Sequence, residues 1–178
     1  PMCGRYALTS NLDELQARFN FEARDLEYRP RYNIAPTQQS LVVINDGARK
    51  AEEMRWGLVP FWAKDIKIGY RMINAVGETL AAKPAFRTAF RKRRCLILAD
   101  GFFEWRKDGK LKTPMRITLR SGEPFGFAGL WETWMNPEGE LVKSCNIMDF
   151  TSLVTAVKSL RISLNQYINW AIYEYLII

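Results

Sequence analysis

The sequence predicts a single α+β domain, residues 1–178, dominated by antiparallel strands, and three observations carry that expectation. From Cys95 to Ile147 strand-like runs alternate with turn signals at Lys107-Asp108-Gly109, Ser121-Gly122-Glu123-Pro124 and Asn136-Pro137-Glu138-Gly139. A further hairpin runs from Leu41 to Ile44, through Asn45-Asp46-Gly47, and back through Met54 to Trp56. Helical signals are few and short. At 178 residues, with 48% apolar and 25% charged, the chain can bury one core and is too apolar for disorder.

Each element has its own warrant. Ser10 is placed to cap a helix that carries Leu12, Leu15 and Phe19 on one face, with Asp13 three residues on. Residues 28–40, punctuated by Pro30 and Pro36, read as a loop. Pro84 suits the first turn of a short helix with Phe86 and Phe90 at i, i+4. Met115, Ile117 and Leu119 alternate with polar residues, the period of a half-buried strand. In the tail, Leu153, Val154, Ala156, Val157 and Leu160 suit a helix face, and Tyr167 to Ile178 is an apolar run. That run is too short to span a bilayer, so packing within the protein is its expected fate.

Composition excludes several chemistries. The chain has no histidine, so no Ser-His-Asp triad, no Cys-His dyad and no His-ligated zinc site can be built from it. Cys3, Cys95 and Cys145 form no C-x-x-C pair, so no metal and no cofactor is expected. Sparse, odd cysteines, the lack of an apolar leader and the lack of a long apolar run suit a cytoplasmic protein with no membrane segment. Lys and Arg number 26 against 19 acids, a net charge of +7 that favours a polyanionic partner.

Three places could carry chemistry. Cys3 becomes N-terminal if Pro1 and Met2 are absent, and an N-terminal cysteine is a 1,2-aminothiol that captures aldehydes as a thiazolidine. From position alone a buried first-strand cysteine is the favoured reading. Glu104, in Asp100-Gly101-Phe102-Phe103-Glu104-Trp105, is a carboxyl between aromatics that suits a general acid or base, or an exposed strand residue. Lys83, Arg87, Arg91, Lys92, Arg93 and Arg94 form a run of six basic residues with no acid. With Tyr32, Trp56, Phe61 and Trp62 it reads as phosphate contacts beside stacking rings, or as a solvated helix face with a basic last turn. The concentration of charge favours nucleic acid.

Six motifs then occur in order: Met2-Cys3-Gly4-Arg5-Tyr6; Tyr32-Asn33-Ile34-Ala35-Pro36-Thr37-Gln38; Trp56 to Ala63; Ile73 to Thr79; Arg94-Cys95-Leu96 through Asp100 to Trp105; and Phe127 to Glu132. From Cys3 to about Cys145 the chain closely resembles the SOS response-associated peptidase family. The resemblance implies a β-rich fold with a strongly curved, barrel-like antiparallel sheet and a few short helices. It also implies a basic cleft for single-stranded DNA and a thiazolidine crosslink between Cys3 and the opened aldehyde of an abasic site. It assigns Asn74 to positioning the cysteine and Glu104 to sugar-ring opening and crosslink reversal. Arg5, Trp62 and the basic residues Lys83, Arg87 and Arg91 fall where the family contacts DNA. The peptidase label reflects methionine removal, and abasic-site lyase activity is associated with the family.

The chain departs from that pattern in three places. The family's His-x-Arg-Met-Pro segment has no counterpart after Lys143–Ile147, Val76 stands where the family has arginine, and residues 146–178 read as divergent. The expectation is a monomeric, nucleoid-associated sensor and shield of abasic sites in single-stranded DNA. The alternatives are a non-covalent single-strand-binding module and, less favoured without histidine, a thiol peptidase.

Overall fold

The structure, a computed structural model, describes residues 4–23, 26–45 and 47–149; Cys3, Pro1-Met2 and the tail from residue 150 lie outside the described residues. The elements are β1 (Tyr6–Leu8), α1 (Leu12–Phe19), β2 (Arg31–Ile34), β3 (Gln39–Asn45), β4 (Arg49–Trp56), β5 (Asn74–Val76), α2 (Pro84–Lys92), β6 (Arg94–Ala99), β7 (Gly101–Asp108), β8 (Leu111–Ile117), β9 (Phe125–Met135) and β10 (Leu141–Asp149). Two 3₁₀ segments, Ile66–Arg71 of two turns and Gly77–Thr79 of one, flank β5.

Five strands close into a barrel-like sheet in the order β4-β3-β6-β9-β10, and closure comes from β10 pairing back onto β4. The other four pairings are antiparallel, but the closing one is parallel, with Ser144 opposite Arg55 and Cys145 opposite Trp56. Farther along, the same edge of β10 takes β5, also in parallel, with Ile147 opposite Asn74. The closing contact is short, two residue pairs at the end of β4, but it gives every strand of the ring a partner on both sides and so shortens the edges that invite aggregation. Register brings Ile44, Cys95 and Gly129 into line across β3, β6 and β9. Gly129 has to be glycine: a Cβ there would lie 2.7 Å from the Asn146 carbonyl oxygen and 2.9 Å from Ile97 Cδ1.

Two apolar clusters seat the remaining elements. The larger one gathers Leu15 of α1, Tyr6 of β1 and the buried residues of β3, β4 and β6, with Cys145 and Ile147 of β10. The smaller one holds Leu58, Ala75, Leu80, Phe86, Ala89, Ala128, Leu130 and Met148, and so fastens α2 and β5 onto β9 and β10. Each fully buried side chain such as Leu80 or Leu130 contributes about 1.5–3 kcal/mol, enough to hold a nine-residue helix whose other face is charged. A second sheet, in the order β2-β1-β7-β8, carries the N-terminal strand in its interior.

Several local expectations shift. The α1 cap is Asn11, which accepts from the Glu14 amide at 2.9 Å while Glu14 accepts from the Asn11 amide at 3.2 Å. Ser10 is not the cap because its amide donates to Asp100 instead, at 2.9 Å. The proposed loop 28–40 contains β2, an edge strand that lies between Pro30 and Pro36 and is interrupted by neither. Along Met115, Ile117 and Leu119 burial rises steadily, from 39% exposed at Met115 to 5% at Leu119, because the β7–β8 hairpin projects off the body.

Candidate functional site

The N-terminal strand is set by a short antiparallel ladder. Tyr6 lies opposite Phe102 and Ala7 opposite Gly101; the Asp100 amide donates to the Ala7 carbonyl and the Phe103 amide to the Arg5 carbonyl, both at 2.9 Å. Glu104, partly buried and opposite Met115 of β8, is therefore the next residue along β7 from the one that grips Arg5. Arg5 is exposed, and its guanidinium donates to Asn33 Oδ1 of β2 at 3.2 Å. The structure thus brings Arg5 and Glu104 onto neighbouring strands.

Tyr6 anchors this strand in the core. Its hydroxyl donates to Ser40 Oγ at 2.6 Å, and its ring meets Trp56 edge-on at 5.2 Å and Phe127 at 6.0 Å. Trp56 in turn donates from Nε1 to the Ile73 carbonyl at 2.9 Å, a carbonyl that also accepts from the Ile147 amide at 3.0 Å. Asn74, half-buried at the start of β5, follows directly on Ile73. Trp56 is itself fully buried. Its reading as a base-stacking ring is overturned, because it is the core bracket between β1 and β5.

Beyond Trp56, the loop from Gly57 to Met72 presents Phe61, Trp62 and Tyr70, which are 62%, 50% and 58% exposed. Its base is closed backbone to backbone: a Cβ on Gly57 would lie 2.7 Å from the Gly69 carbonyl oxygen, and one on Gly69 equally close to that of Gly57. The Leu58 amide donates to the Met72 carbonyl at 3.1 Å, the Val59 amide to Ser144 Oγ at 2.8 Å, and Trp134 Nε1 to the Ala63 carbonyl at 2.6 Å. Exposed rings on a pinned loop can stack against bases with little ordering cost. The Arg55 guanidinium lies 5.7 Å from the Tyr70 ring centre, a cation–π contact that sequence reading missed because Arg55 and Tyr70 are far apart in the chain. Tyr32 is 75% exposed on β2.

The basic run resolves into two roles. Phe86 and Ala89 of α2 are buried, whereas Lys83, Arg87 and Arg91, spaced four residues apart, are exposed on one stripe. Arg93 is used internally: it pairs with the buried Glu132 at 2.8 Å and lies 5.9 Å from the Trp131 ring centre. Arg91 and Lys92 also sit in the last helical turn, so the dipole-complementing reading holds alongside the surface-stripe reading. Asn74, the Trp62 loop and α2 meet in the smaller cluster through Ala75, Leu58, Phe86 and Ala89. Among the described residues no group of His, Cys, Asp or Glu side chains could hold a metal ion, and no helix is long and apolar enough to cross a membrane.

The other two cysteines are not reagents. Cys95 and Cys145 are both buried, and burial pushes both thiols well up from the ordinary range, so they stay protonated.

The profile of the SOS response associated peptidase (SRAP) family matches residues 2–159. The chain belongs to the SRAP family. Among curated SRAP relatives, the abasic site processing protein YoqW of Bacillus subtilis is 50% identical over 151 residues, covering 83% of this chain and 67% of the relative. The abasic site processing protein YobE of the same organism is 49% identical over 151 residues, covering 83% and 69%. A crystal structure of a protein from Bacteroides thetaiotaomicron superposes with a TM-score of 0.73 over 95% of this chain and 81% of that one, at 21% identity, a likeness of fold. The β-rich, barrel-like architecture is thus the one the SRAP resemblance implies.

Proposed function

We propose that this chain processes abasic sites in single-stranded DNA by capturing them covalently through Cys3, and so shields the lesion as part of a DNA damage response. The amine of an N-terminal Cys3 adds to the aldehyde of the opened sugar and expels one water to give an imine. The thiol then adds across the C=N bond, sulfur to carbon and proton to nitrogen, closing a thiazolidine. Glu104 serves as the acid and base that opens the sugar ring, and Asn74 orients the aminothiol. Arg5, Lys83, Arg87 and Arg91 hold phosphates, and Trp62 stacks on a base. The observation that carries this reading is the β1–β7 register, in which the Arg5 carbonyl accepts from the Phe103 amide, one residue before Glu104. Cys3 is two residues ahead of Arg5 in the sequence.

The absence of histidine favours one competing reading, a module that holds single-stranded DNA without chemistry. Intact mass after incubation with an abasic oligonucleotide separates the two. Capture predicts a denaturation-stable species at protein plus DNA minus one water, provided Pro1 and Met2 are absent. Cys3→Ala abolishes it, and Glu104→Gln slows it by about 10²–10⁴-fold. Salt-sensitive binding with no adduct from a chain bearing a free Cys3 amine would select the module.

A further inference from the structure

Asp100 precedes β7 and is buried, yet its carboxylate meets five donors from two other parts of the chain. Oδ2 accepts from the Thr9 amide, from Thr9 Oγ1 at 2.8 Å, from the Ser10 amide at 2.9 Å and, at 3.5 Å, from Ser10 Oγ. Oδ1 accepts from Arg116 Nη2 of β8 at 3.1 Å. Gly101 makes this possible: a Cβ there would lie 2.8 Å from Arg116 Nε, across the path the guanidinium takes to Asp100. The backbone of Asp100 grips β1 as well, through the hydrogen bond its amide donates to the Ala7 carbonyl.

β1 needs such a clamp. It is three residues long, and its pairing with β2 shifts register between Tyr6 and Leu8, so β2 does not define its position. A slip of one residue would turn every side chain of a strand to the opposite face. In the observed register the two successive amides of Thr9 and Ser10 both reach one carboxylate oxygen, a convergence that a slipped strand would have to give up. That register also sets Arg5 against Phe103, beside Glu104.

We infer that Asp100 is a positioning residue for the covalent step, locking the strand that follows Cys3 to the strand that carries Glu104; this rests on the capture reading above. Misplacement by about 1 Å costs reactions of this kind on the order of 10²-fold. Neither Asp100 nor Arg116 is required to touch DNA for this role.

The test uses the full chain with a free Cys3 amine, verified by mass, and compares wild type, Asp100→Ala and Asp100→Asn below their melting temperatures. Asn keeps one carbonyl oxygen for the Thr9 and Ser10 amides. Asp100→Ala is expected to lower the saturating rate of adduct formation by about 10–100-fold. The DNA concentration at half-saturation rises far less, by about threefold at most, since of the phosphate-holding residues only Arg5 adjoins the clamped strand and Lys83, Arg87 and Arg91 lie elsewhere. Asp100→Asn recovers most of the rate. In parallel, hydrogen exchange at the Phe103 amide, the donor to Arg5, accelerates about tenfold or more in Asp100→Ala, while the Ile97 and Leu130 amides of the closed sheet do not change. An unchanged rate, or unchanged Phe103 protection in the folded variant, overturns the inference. So does a half-saturation that worsens by as much as the rate falls. Should Asp100→Ala fail to fold, Thr9→Val removes a single donor and is read the same way, with about a threefold loss expected. A wild-type chain that forms no adduct defeats the capture reading instead, and Phe103 exchange still decides the clamp.

Discussion

The closed sheet and the open four-stranded sheet solve opposite problems. In the ring of β3, β4, β6, β9 and β10, β10 pairs back onto β4 and most of the buried residues are apolar, with Ser40, Glu132, Ser144, Asn146 and Asp149 as the buried polar exceptions. In the β2-β1-β7-β8 sheet, β8 is exposed along most of its length, and β1 is held by a carboxylate, a phenol and a buried hydroxyl pair. Packing is tolerant of chemistry but sets only approximate positions, whereas charged hydrogen bonds are directional. On the capture reading proposed above, the region that would bring Cys3 and Glu104 together is the one held by directional contacts, resting on a ring held mainly by packing.

Three experiments would break or sharpen that contrast. Gly129→Val should have the largest effect, since it forces a side chain into the Asn146 backbone and Ile97. A loss of about 3 kcal/mol or more in urea melts is expected, and a loss below about 1 kcal/mol would show the ring to be looser than described. Trp62→Ala should do the reverse: stability within about 0.5 kcal/mol of wild type, but single-strand affinity weaker by about 1–3 kcal/mol in a fluorescence anisotropy titration. Equal loss in both would assign Trp62 to packing. The smallest effect concerns Tyr28, whose hydroxyl donates to the Ser10 carbonyl at 2.7 Å and the Leu8 carbonyl at 3.2 Å, holding the same turn that Asp100 holds through its amides. Burial, with Asp100 and then Glu14 nearby, pushes its pKa up to about 12 from 10.0. The protonated phenol is the form the fold favours, so its contribution is complete below pH 10 and is lost as pH rises from about 10 to about 12. Tyr28→Phe should cost about 1 kcal/mol at neutral pH and flatten that alkaline limb in melts recorded across it. A limb as steep as in wild type would place the titrating group elsewhere.

Local elements were legible because their causes are local. Pro84 begins α2, and the turn around Gly47 joins β3 to β4, as their residues predict. Ser10 misled because its amide is recruited by a residue ninety positions away. Trp56 misled because an aromatic next to exposed aromatics carries no local sign of burial. Within Asp100-Gly101-Phe102-Phe103-Glu104-Trp105 the residue types single out Glu104. Asp100 and Gly101 in the same motif carry no local sign of their role, which only the approach of Thr9, Ser10 and Arg116 shows.

The sequence by itself determined the chemistry on offer. With no histidine, an aminothiol that Cys3 can supply, a carboxyl at Glu104 and a basic stripe spaced four residues apart, residue types alone exclude most catalytic classes. They also draw the polyanion partner, since charge, nucleophilicity and helical period are properties of the residues and their spacing. Which of those groups meet was decided by tertiary structure. The parallel closure of β10 on β4, the division of one β10 edge between β4 and β5, and the register of β1 on β7 all join residues remote in sequence. Pairing of that kind depends on the summed complementarity of many side chains and on long-range loop closure, neither of which is written in any short stretch of the chain.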